Sequence, residues 1–470
     1  MNEKPLALLP ELILVVGATA TLLVGIFAPR QRQWLARLVA AAALLGSLVA
    51  GAAALAGSDE LIYDGSWAVD GLTGAARLVV PAAALLTIGL SVDRFGGTTR
   101  ETEFYVLVLL ASLGAIVLCG ANDLLVLAAG YLLASIPLYA LAGIARDAAG
   151  TEAALKLYLV AALLGIALLG GVTVLFGVAG ATAYADLAEG LRSASSVGTA
   201  AGLVGVLGGL LFKMGAVPAH FWVPDATEGA TTPAAAFLTT VPKVGGLFAA
   251  FRLLSAVPDE VVDWPLLVAA LAAVSMTLGN FAAFRQDSPK RLLAYSTISQ
   301  VGYLLMAVAV AGRSDLALQS LSFYVAAYAV TNLGAFALVA ALPDATTLAS
   351  YRALAWRSPW LAGVLLVCLL GLVGTPPTAV FLGKVEVFGA AIDGGLGWLA
   401  VVAVINTVVS LFYYLRWLAP TFAPERTTLE RHVAPRPYSR VAALTAGLSV
   451  LALGVAAGPA LDLVDGRLLR

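Results

Sequence analysis

Four lysines lie inside apolar stretches long enough to cross a membrane: Lys156 in LKLYLVAALL, Lys213 in LLFKMGAVP, Lys243 in TTVPKVGGLFAA and Lys384 in FLGKVEVFGAA. Only Lys4 and Lys290 fall in polar ends or loops. An ammonium at mid-bilayer costs about 2.5–3.5 kcal/mol on insertion scales, so residues of this kind persist where they pair or where they work. A row of titratable groups through a membrane is what a proton path requires. Lys213 and Lys243 stand near the middles of adjacent antiparallel spans and can meet at one depth. A buried lysine beside a second cation holds its proton loosely enough to exchange it with a water chain. The alternative for each is an ion pair with a carboxylate that locks two helices. Lys384 has Glu386 two residues on as a local candidate for that pairing, and Lys156, one turn into its span, can snorkel to the interface.

Other polar residues gather around these positions. His220, in AVPAHFWVPD, is a candidate relay between the Lys213 region and the surface, or a histidine that hydrogen-bonds at a helix end. Asp225 and Glu228 fall in the segment between the two lysine spans and read as helix caps and loop-ordering groups. Tyr295, Ser296, Thr297, Ser299, Gln300 and Tyr303 form a hydroxyl-rich face that either holds ordered water or joins helices. Asp123 and Glu11 lie near span ends and read as structural.

The chain that positions these groups is 61% hydrophobic and 12% charged, with a mean hydropathy of +0.94. Soluble domains carry about 25% charged residues, so this is an all-α integral membrane protein. The first apolar run, Leu6 to Ala28, follows MNEKP with no small-residue cleavage site after a basic segment, which predicts a retained span. Cys119 and Cys368 both fall in apolar spans, and only His220 and His432 offer imidazoles. Disulfide frameworks and zinc, haem or iron–sulfur sites therefore lack their ligands, and no glycine-rich phosphate loop occurs. Redox energy, if used, is released in another chain.

A helix needs about 20 apolar residues to span the hydrocarbon core. On that criterion fourteen spans are predicted, at 6–28, 34–56, 72–90, 104–120, 124–144, 152–178, 198–221, 234–254, 264–281, 292–310, 317–342, 359–390, 397–418 and 440–463. The twelfth is too long for one helix and should break at Gly374-Thr375-Pro376-Pro377; the seventh should break at Gly215 and Pro218. Sixteen of the 27 Lys and Arg fall in the loops of one face, which the positive-inside rule makes cytoplasmic, with both termini outside the cytoplasm. Spans 4–8 and 9–13 form two five-helix units, and an odd number makes the second inverted relative to the first. Interrupted helices at matching places in two inverted halves point to a transport path. The expected organisation is a three-helix segment 1–103, a first repeat 104–254, a second repeat 255–418, and a C-terminal loop and last helix 419–470. The longest loops are Ala181–Ser196 and Pro420–Pro437.

The segments LLFKMGAVPAHFWVPDATEGATTPAAAFLTTVPKVGG, PKRLLAYSTISQVGYLLM and GTPPTAVFLGK, with SIPLYALAG and EAALKLYL, resemble the family of subunit N of bacterial respiratory NADH:quinone oxidoreductase, complex I. The resemblance covers essentially the whole chain. It implies an antiporter-like subunit of the membrane arm that translocates protons and holds no cofactor, in a bacterial inner membrane. NADH, FMN, iron–sulfur clusters and quinone are then expected in partner subunits, and the partners are other membrane-arm subunits and the lipid bilayer, with no nucleic acid. It further implies that Lys213 and Lys243 are central proton carriers, that Lys384 guards the exit side, and that Lys156 and His220 belong to the polar axis or its inlet. Two positions depart from the family's pattern. Leu132 stands where a span-5 glutamate belongs, and Gln300 stands where many relatives have a histidine. Glutamine takes up no proton at any useful pH. Two other readings follow from these departures and from the shared fold: a non-pumping structural paralogue, and a free-standing Mrp-type cation/proton antiporter subunit.

Overall fold

The computed structural model describes residues 4–424, 434–462 and 468–469. Arg426, Arg431, His432, Arg467 and Arg470, counted or named above, lie outside them. The chain opens with α1 (Leu9–Phe27) and α2 (Trp34–Ala54), then a two-stranded antiparallel hairpin, β1 (Glu60–Ile62) and β2 (Trp67–Val69). Next come α3 (Gly71–Phe95), α4 (Glu101–Gly120), α5 (Leu124–Ala142), α6 (Ala148–Ala179), the short α7 (Tyr184–Ser193) and α8 (Ser196–Met214). The middle of the chain holds α9 (Trp222–Gly229), α10 (Thr232–Leu238), α11 (Val241–Ala256), α12 (Trp264–Ala283), α13 (Pro289–Ala309) and α14 (Leu316–Ala341). The remainder is α15 (Leu354–Arg357), α16 (Pro359–Val373), α17 (Ala379–Asp393), α18 (Gly397–Phe422), α19 (Pro437–Val455) and α20 (Ala457–Asp462).

Among the described residues, thirteen helical stretches are long and apolar enough to cross a membrane, taking α10 and α11 together as one, and α16 is a shorter apolar helix. These fall on the fourteen predicted spans. The polar-faced helices α10, α11, α13 and α14 are buried along nearly their whole length, whereas α1, α2 and α6 turn most of their apolar side chains outward. The segment that carries Lys243 therefore runs through the centre of the bundle, wrapped by helices whose outer faces suit lipid.

Both expected breaks occur. At the end of α8, Gly215 takes φ +78° and its N–H bonds back to the carbonyls of Leu211 and Phe212, while Ala216 N reaches Leu211 O. At the end of α16, Gly374 takes φ +91°, bonds back to Leu370 and Gly371, and Thr375 N reaches Leu370 O. This is the left-handed C-terminal cap that glycine permits, with prolines placed just beyond it. Four features differ from expectation. Span 8 is itself broken at Thr239–Thr240, because Pro242 has no N–H to continue the ladder. The segment after the Gly215 break folds into α9 instead of a loop, and α7 occupies the Ala181–Ser196 loop. The β1–β2 hairpin adds a small extended element to an otherwise helical chain. Finally, α6 begins at Ala148, so Lys156 sits in its third turn and not its first.

Two buried ion pairs fasten the outer helices to the centre. Arg252 of α11 is 1% exposed and grips Asp70 with two bonds of 2.7 Å, while also donating to Cys119 O and Thr73 Oγ1. Asp70 in turn caps α3 through Thr73 N. Arg77 of α3 holds Glu11 of α1 at 2.7 and 2.8 Å. Asp123 caps α5 through Leu125 N and Val126 N, the structural role expected of it. Removing one partner of a buried pair strands the other charge, at a cost of about 3–5 kcal/mol. Arg252→Met should therefore lower the thermal midpoint of the detergent-solubilised protein sharply, and Arg252→Met/Asp70→Leu should recover part of that loss.

Candidate functional site

Lys213, Lys243 and Lys384 are 1%, 1% and 3% exposed, and each sits at a helix break. Among the described residues none of the three forms an ion pair with a carboxylate, so the helix-locking alternative does not hold for them. Glu386 in particular does not pair with Lys384.

What they bind instead follows from the local sequence. Pro242 removes the amide that would have bonded the Leu238 carbonyl four residues back, and the Lys243 ammonium donates to that carbonyl at 3.1 Å. Pro376 and Pro377 do the same to the carbonyls of Leu372 and Val373. Lys384 donates to Val373 O at 2.8 Å and more weakly to Leu372 O at 3.4 Å, and the Gln300 amide donates to Leu372 O at 2.7 Å. Both ammonium groups thus sit on the negative end of a short helix, α10 or α16, where a cation is favoured. Lys213, in the last turn of α8, donates to the Ser135 hydroxyl of α5, and Ser135 donates to Tyr131 O.

An aromatic ring faces each ammonium as well. Nζ lies 4.7 Å from the Tyr131 ring centre for Lys213, 4.4 Å from Trp222 for Lys243, and 4.0 Å from Tyr303 for Lys384. A cation over a ring face gains about 0.5–2 kcal/mol, more where water is excluded. Trp222 is presented by the first turn of α9 and anchored by its own N–H to Phe212 O at 3.0 Å. Glycines leave room for the contacts. A methyl group on Gly215 would stand 2.6 Å from Val223 Cγ2 and 3.4 Å from Lys243 Nζ, and one on Gly374 would stand 2.9 Å from Lys384 Cδ. The stem of Lys213 passes Gly246, one turn beyond Lys243 on α11, so the two lysines interlock across these backbones.

Side chains of α13 and α14 bridge from Lys243 to Lys384. Asn332 donates to Thr239 Oγ1 and Thr240 Oγ1 at 3.0 and 2.9 Å, clamping the break in span 8. Tyr328 donates to Thr239 O at 2.8 Å and lies 3.0 Å from Thr297 Oγ1. One turn further, Tyr324 donates to Gln300 Oε1 at 2.6 Å, and Gln300 shares the Leu372 carbonyl with Lys384. Beside this row, Tyr131 OH, His220 Nδ1 and Asn332 Oδ1 are buried with no hydrogen-bond partner among the described residues.

The remaining candidates stand apart. His220 is 5% exposed in the link between α8 and α9, with its ring centre 4.3 Å from that of Phe221 and no hydrogen bond to any of the lysines. Lys156 is half exposed and pairs with Glu152 at 2.8 Å and Asp225 at 3.0 Å, so it is outside the buried row. Asp225 and Glu228 cap no helix. Asp225 joins Lys156 to Arg291, and Glu228 accepts from Ser288. Leu132 is 45% exposed on the outer side of α5, one turn before Ser135. Tyr131, Trp222 and the Ser135 hydroxyl were not visible as site residues in the sequence, whereas Tyr303 belongs to the hydroxyl-rich face read there. The Pro-Lys pair at 242–243 and the Pro-Pro pair upstream of Lys384 are the signals that lead to the freed carbonyls.

Residues 121–410 match the family described as NADH:quinone oxidoreductase/Mrp antiporter, TM. The chain is 51% identical over 463 residues to NADH-quinone oxidoreductase subunit N of Mycobacterium sp. (strain JLS), with 98% of each chain covered. It is 52% identical, with the same coverage, to NADH-quinone oxidoreductase subunit N 1 of Streptomyces griseus subsp. griseus. Among solved structures, a chain of respiratory complex I from Thermus thermophilus with bound aureothin superposes with a TM-score of 0.82 at 33% identity, covering 97% of this chain and 100% of that one. A chain of the Mrp complex from Dietzia sp. superposes at 0.87 with 22% identity, covering 98% and 97%, which shows a shared fold. With relatives this similar along nearly its whole length, this chain belongs to the subunit N family of NADH-quinone oxidoreductase, whose members are antiporter-like integral membrane subunits.

Proposed function

We propose that this chain carries protons across a bacterial inner membrane as a non-redox, membrane-arm subunit of a complex I-type assembly, using Lys213, Lys243 and Lys384 as carriers. The observation that carries this reading is that three buried ammonium groups bond only to neutral acceptors: a hydroxyl and proline-freed carbonyls. An ion pair would hold the proton in place through its carboxylate. A carbonyl or hydroxyl that accepts from an ammonium can also accept from a water molecule, so each amine can release its proton and have its place taken by water. NADH oxidation and quinone reduction, with their FMN and iron–sulfur clusters, belong to partner subunits, whose rearrangement biases the row electrostatically.

In this scheme the units 104–254 and 255–418 are the two inverted halves, Lys213 and Lys243 serve the first and Lys384 the second. The basic loops face the cytoplasm and both termini lie outside it. Lys156 and His220 act at the inlet, Lys156 through the Asp225–Arg291 cluster and His220 in the link between α8 and α9. A second reading, an assembled but non-pumping scaffold, is favoured by one observation: Leu132 supplies no carboxylate on the outer side of α5. A free-standing cation/proton antiporter would instead show sodium- or potassium-dependent proton flux from the purified chain alone.

A positioned proton-transfer group contributes about 10²–10⁴-fold to the step it serves. In the assembled complex reconstituted in vesicles, Lys243→Ala and Lys384→Ala should each lower the protons moved per electron, with transfer through this chain slowed about 100-fold or more. An unchanged ratio in both variants would sink the carrier assignment. Leu132→Glu separates the two readings: a raised proton-to-electron ratio excludes a purely structural chain, since a scaffold has no transfer step to improve.

A further inference from the structure

Far from the lysine breaks, the first and last parts of the chain leave an apolar groove between them. Its deeper part is a cavity of about 480 Å³ between α3, α14 and α19, with Val79, Ala82, Phe323, Ala326, Val330 and Leu453 in its walls. Leu85, Leu86 and Thr445 line this cavity and also a second one of about 300 Å³, which continues past Gly89 to Tyr438. From Ala75 to Gly89 the groove follows α3 for about 21 Å at 1.5 Å per residue. That exceeds the roughly 15 Å depth of one hydrocarbon leaflet, so a whole acyl chain fits along it. The walls are pinned together at the Tyr438 end: Asp93 of α3 accepts from Ser439 N at 2.7 Å and Ser439 Oγ at 2.8 Å, in the first turn of α19. The groove is therefore built into the fold before anything enters it.

Lipid tails are as apolar as these walls, so apolarity alone would not retain one molecule in preference to its neighbours. Selection has to come from the polar end, and the mouth of the groove is basic. Tyr438, exposed at the mouth, is flanked in sequence by Arg436 and Arg440, and Arg94 follows Gly89 by five residues on α3. Among the described residues none of these three guanidinium groups pairs with a carboxylate. Arg94 and Arg436 also line a polar cavity of about 330 Å³ together with Lys290, beginning at Leu90, the residue next to Gly89. Asp147 and Glu228 line it too, but they already accept from Gly150 N and Ser288 Oγ. Unpaired arginines at the membrane surface attract the phosphate of an anionic lipid, and a tyrosine at that level marks the interface.

We propose that the groove between α3, α14 and α19 is a binding site for one anionic phospholipid of the leaflet on the basic-loop face, its phosphate held by Arg94 and Arg436 and one acyl chain lying along α3 from Gly89 towards Ala75. The site joins the N-terminal helices to the last one through a lipid tail. It also backs the helix that spans the lysine row. Tyr324, Tyr328 and Asn332 leave α14 towards Gln300, Thr239 and Thr240, whereas Phe323, Ala326 and Val330 of the same helix form the groove wall. The binding site stands on this geometry and charge alone, whatever the three lysines do.

The test is photo-crosslinking in the intact assembled complex, delipidated and reconstituted in phosphatidylcholine nanodiscs with a minor fraction of a lipid carrying a diazirine near the end of one acyl chain. Labelled positions are mapped by mass spectrometry. A phosphatidylglycerol probe should label Ala82, Ala326 and Val330 about fivefold or more above a phosphatidylcholine probe of the same chain, the preference expected from basic side chains at a membrane surface. It should also label them above the outward faces of α1, α2 and α6, which report bulk lipid. Arg94→Gln/Arg436→Gln should abolish the preference for phosphatidylglycerol, and Thr445→Phe, which fills the groove, should remove the label from Ala82 and Val330 with either head. Equal labelling by the two heads in the unmodified complex overturns the proposal without any variant being made, as does equal labelling by a free fatty acid probe. No groove label at all means that a neighbouring subunit fills the groove, which also overturns it. A preference that survives Arg94→Gln/Arg436→Gln overturns the assignment of the phosphate to those two arginines.

Discussion

The architecture turns on one exchange of hydrogen-bond donors: prolines take backbone amides away from three carbonyls in the middle of the bundle, and lysine ammonium groups supply the missing donors. A helix interrupted inside a bilayer exposes polar backbone that lipid cannot satisfy, and such backbone survives only where protein or water covers it. Here Leu238, Leu372 and Val373 offer the exposed carbonyls, and Lys243, Lys384 and Gln300 cover them. The same contact meets two needs. It offsets the cost of the break, and it holds a titratable nitrogen at mid-membrane without a countercharge. If the helices were continuous, neither lysine would have a carbonyl to bond; if the lysines were absent, Leu238 O and Val373 O would lack these donors.

The distribution of basic residues follows from this. Arg77 and Arg252 are as deeply buried as the lysines, yet each is locked to a carboxylate, Glu11 and Asp70, by two parallel bonds. A guanidinium stays charged at any accessible pH and matches a carboxylate with its planar fork, so it serves as a fixed joint. An ammonium is a compact donor that can become a neutral amine. The chain thus uses arginine where α1, α3 and α11 must not shift, and lysine at the helix breaks, where the partners are neutral. The two classes also differ in their neighbours: the arginine joints contact charge, while the lysines contact carbonyls, hydroxyls and ring faces. Ring faces suit that purpose, because they attract the cation without offering it a proton acceptor.

Much of this was legible in the sequence because membrane crossing constrains residue types so tightly. The fourteen spans, the Gly215 and Gly374 breaks, and the unusual depth of Lys213, Lys243 and Lys384 could be read from runs of apolar residues and their interruptions. The break at Thr239–Thr240 was missed, although Pro242 marks it, because TTVP lies inside a run whose composition looks continuous. Trp222, Ser135 and Tyr131 were missed for a different reason. Serine donating to its own helix and aromatic residues filling a core are ordinary in any helix bundle, and only the three-dimensional approach of α5 and α9 to the lysines gives them meaning. Asp225 and Glu228 failed as caps because the segment they occupy is itself the helix α9.

Leu132 and Ser135 illustrate how the two kinds of reading constrain each other. From the sequence, a leucine at the position of a family carboxylate looks like a lost partner for Lys213. In the fold, the nitrogen of Lys213 is already satisfied one turn away by Ser135, whose hydroxyl donates its own hydrogen bond to Tyr131 O. Leu132 meanwhile faces outward with Leu125 and Ile136, on a surface that is apolar throughout. A carboxylate there would have to be drawn inward by the lysine or by a neighbouring subunit, since facing hydrocarbon it would be costly. The substitution therefore removes a charge from the outer face of α5 and leaves the inner contact intact. With a hydroxyl as its only polar partner, Lys213 matches Lys243 and Lys384 in holding its proton against a neutral acceptor. The three lysines then form a uniform series in which, among the described residues, no site has a built-in countercharge, and under the carrier role proposed for them any bias along the row comes from outside it.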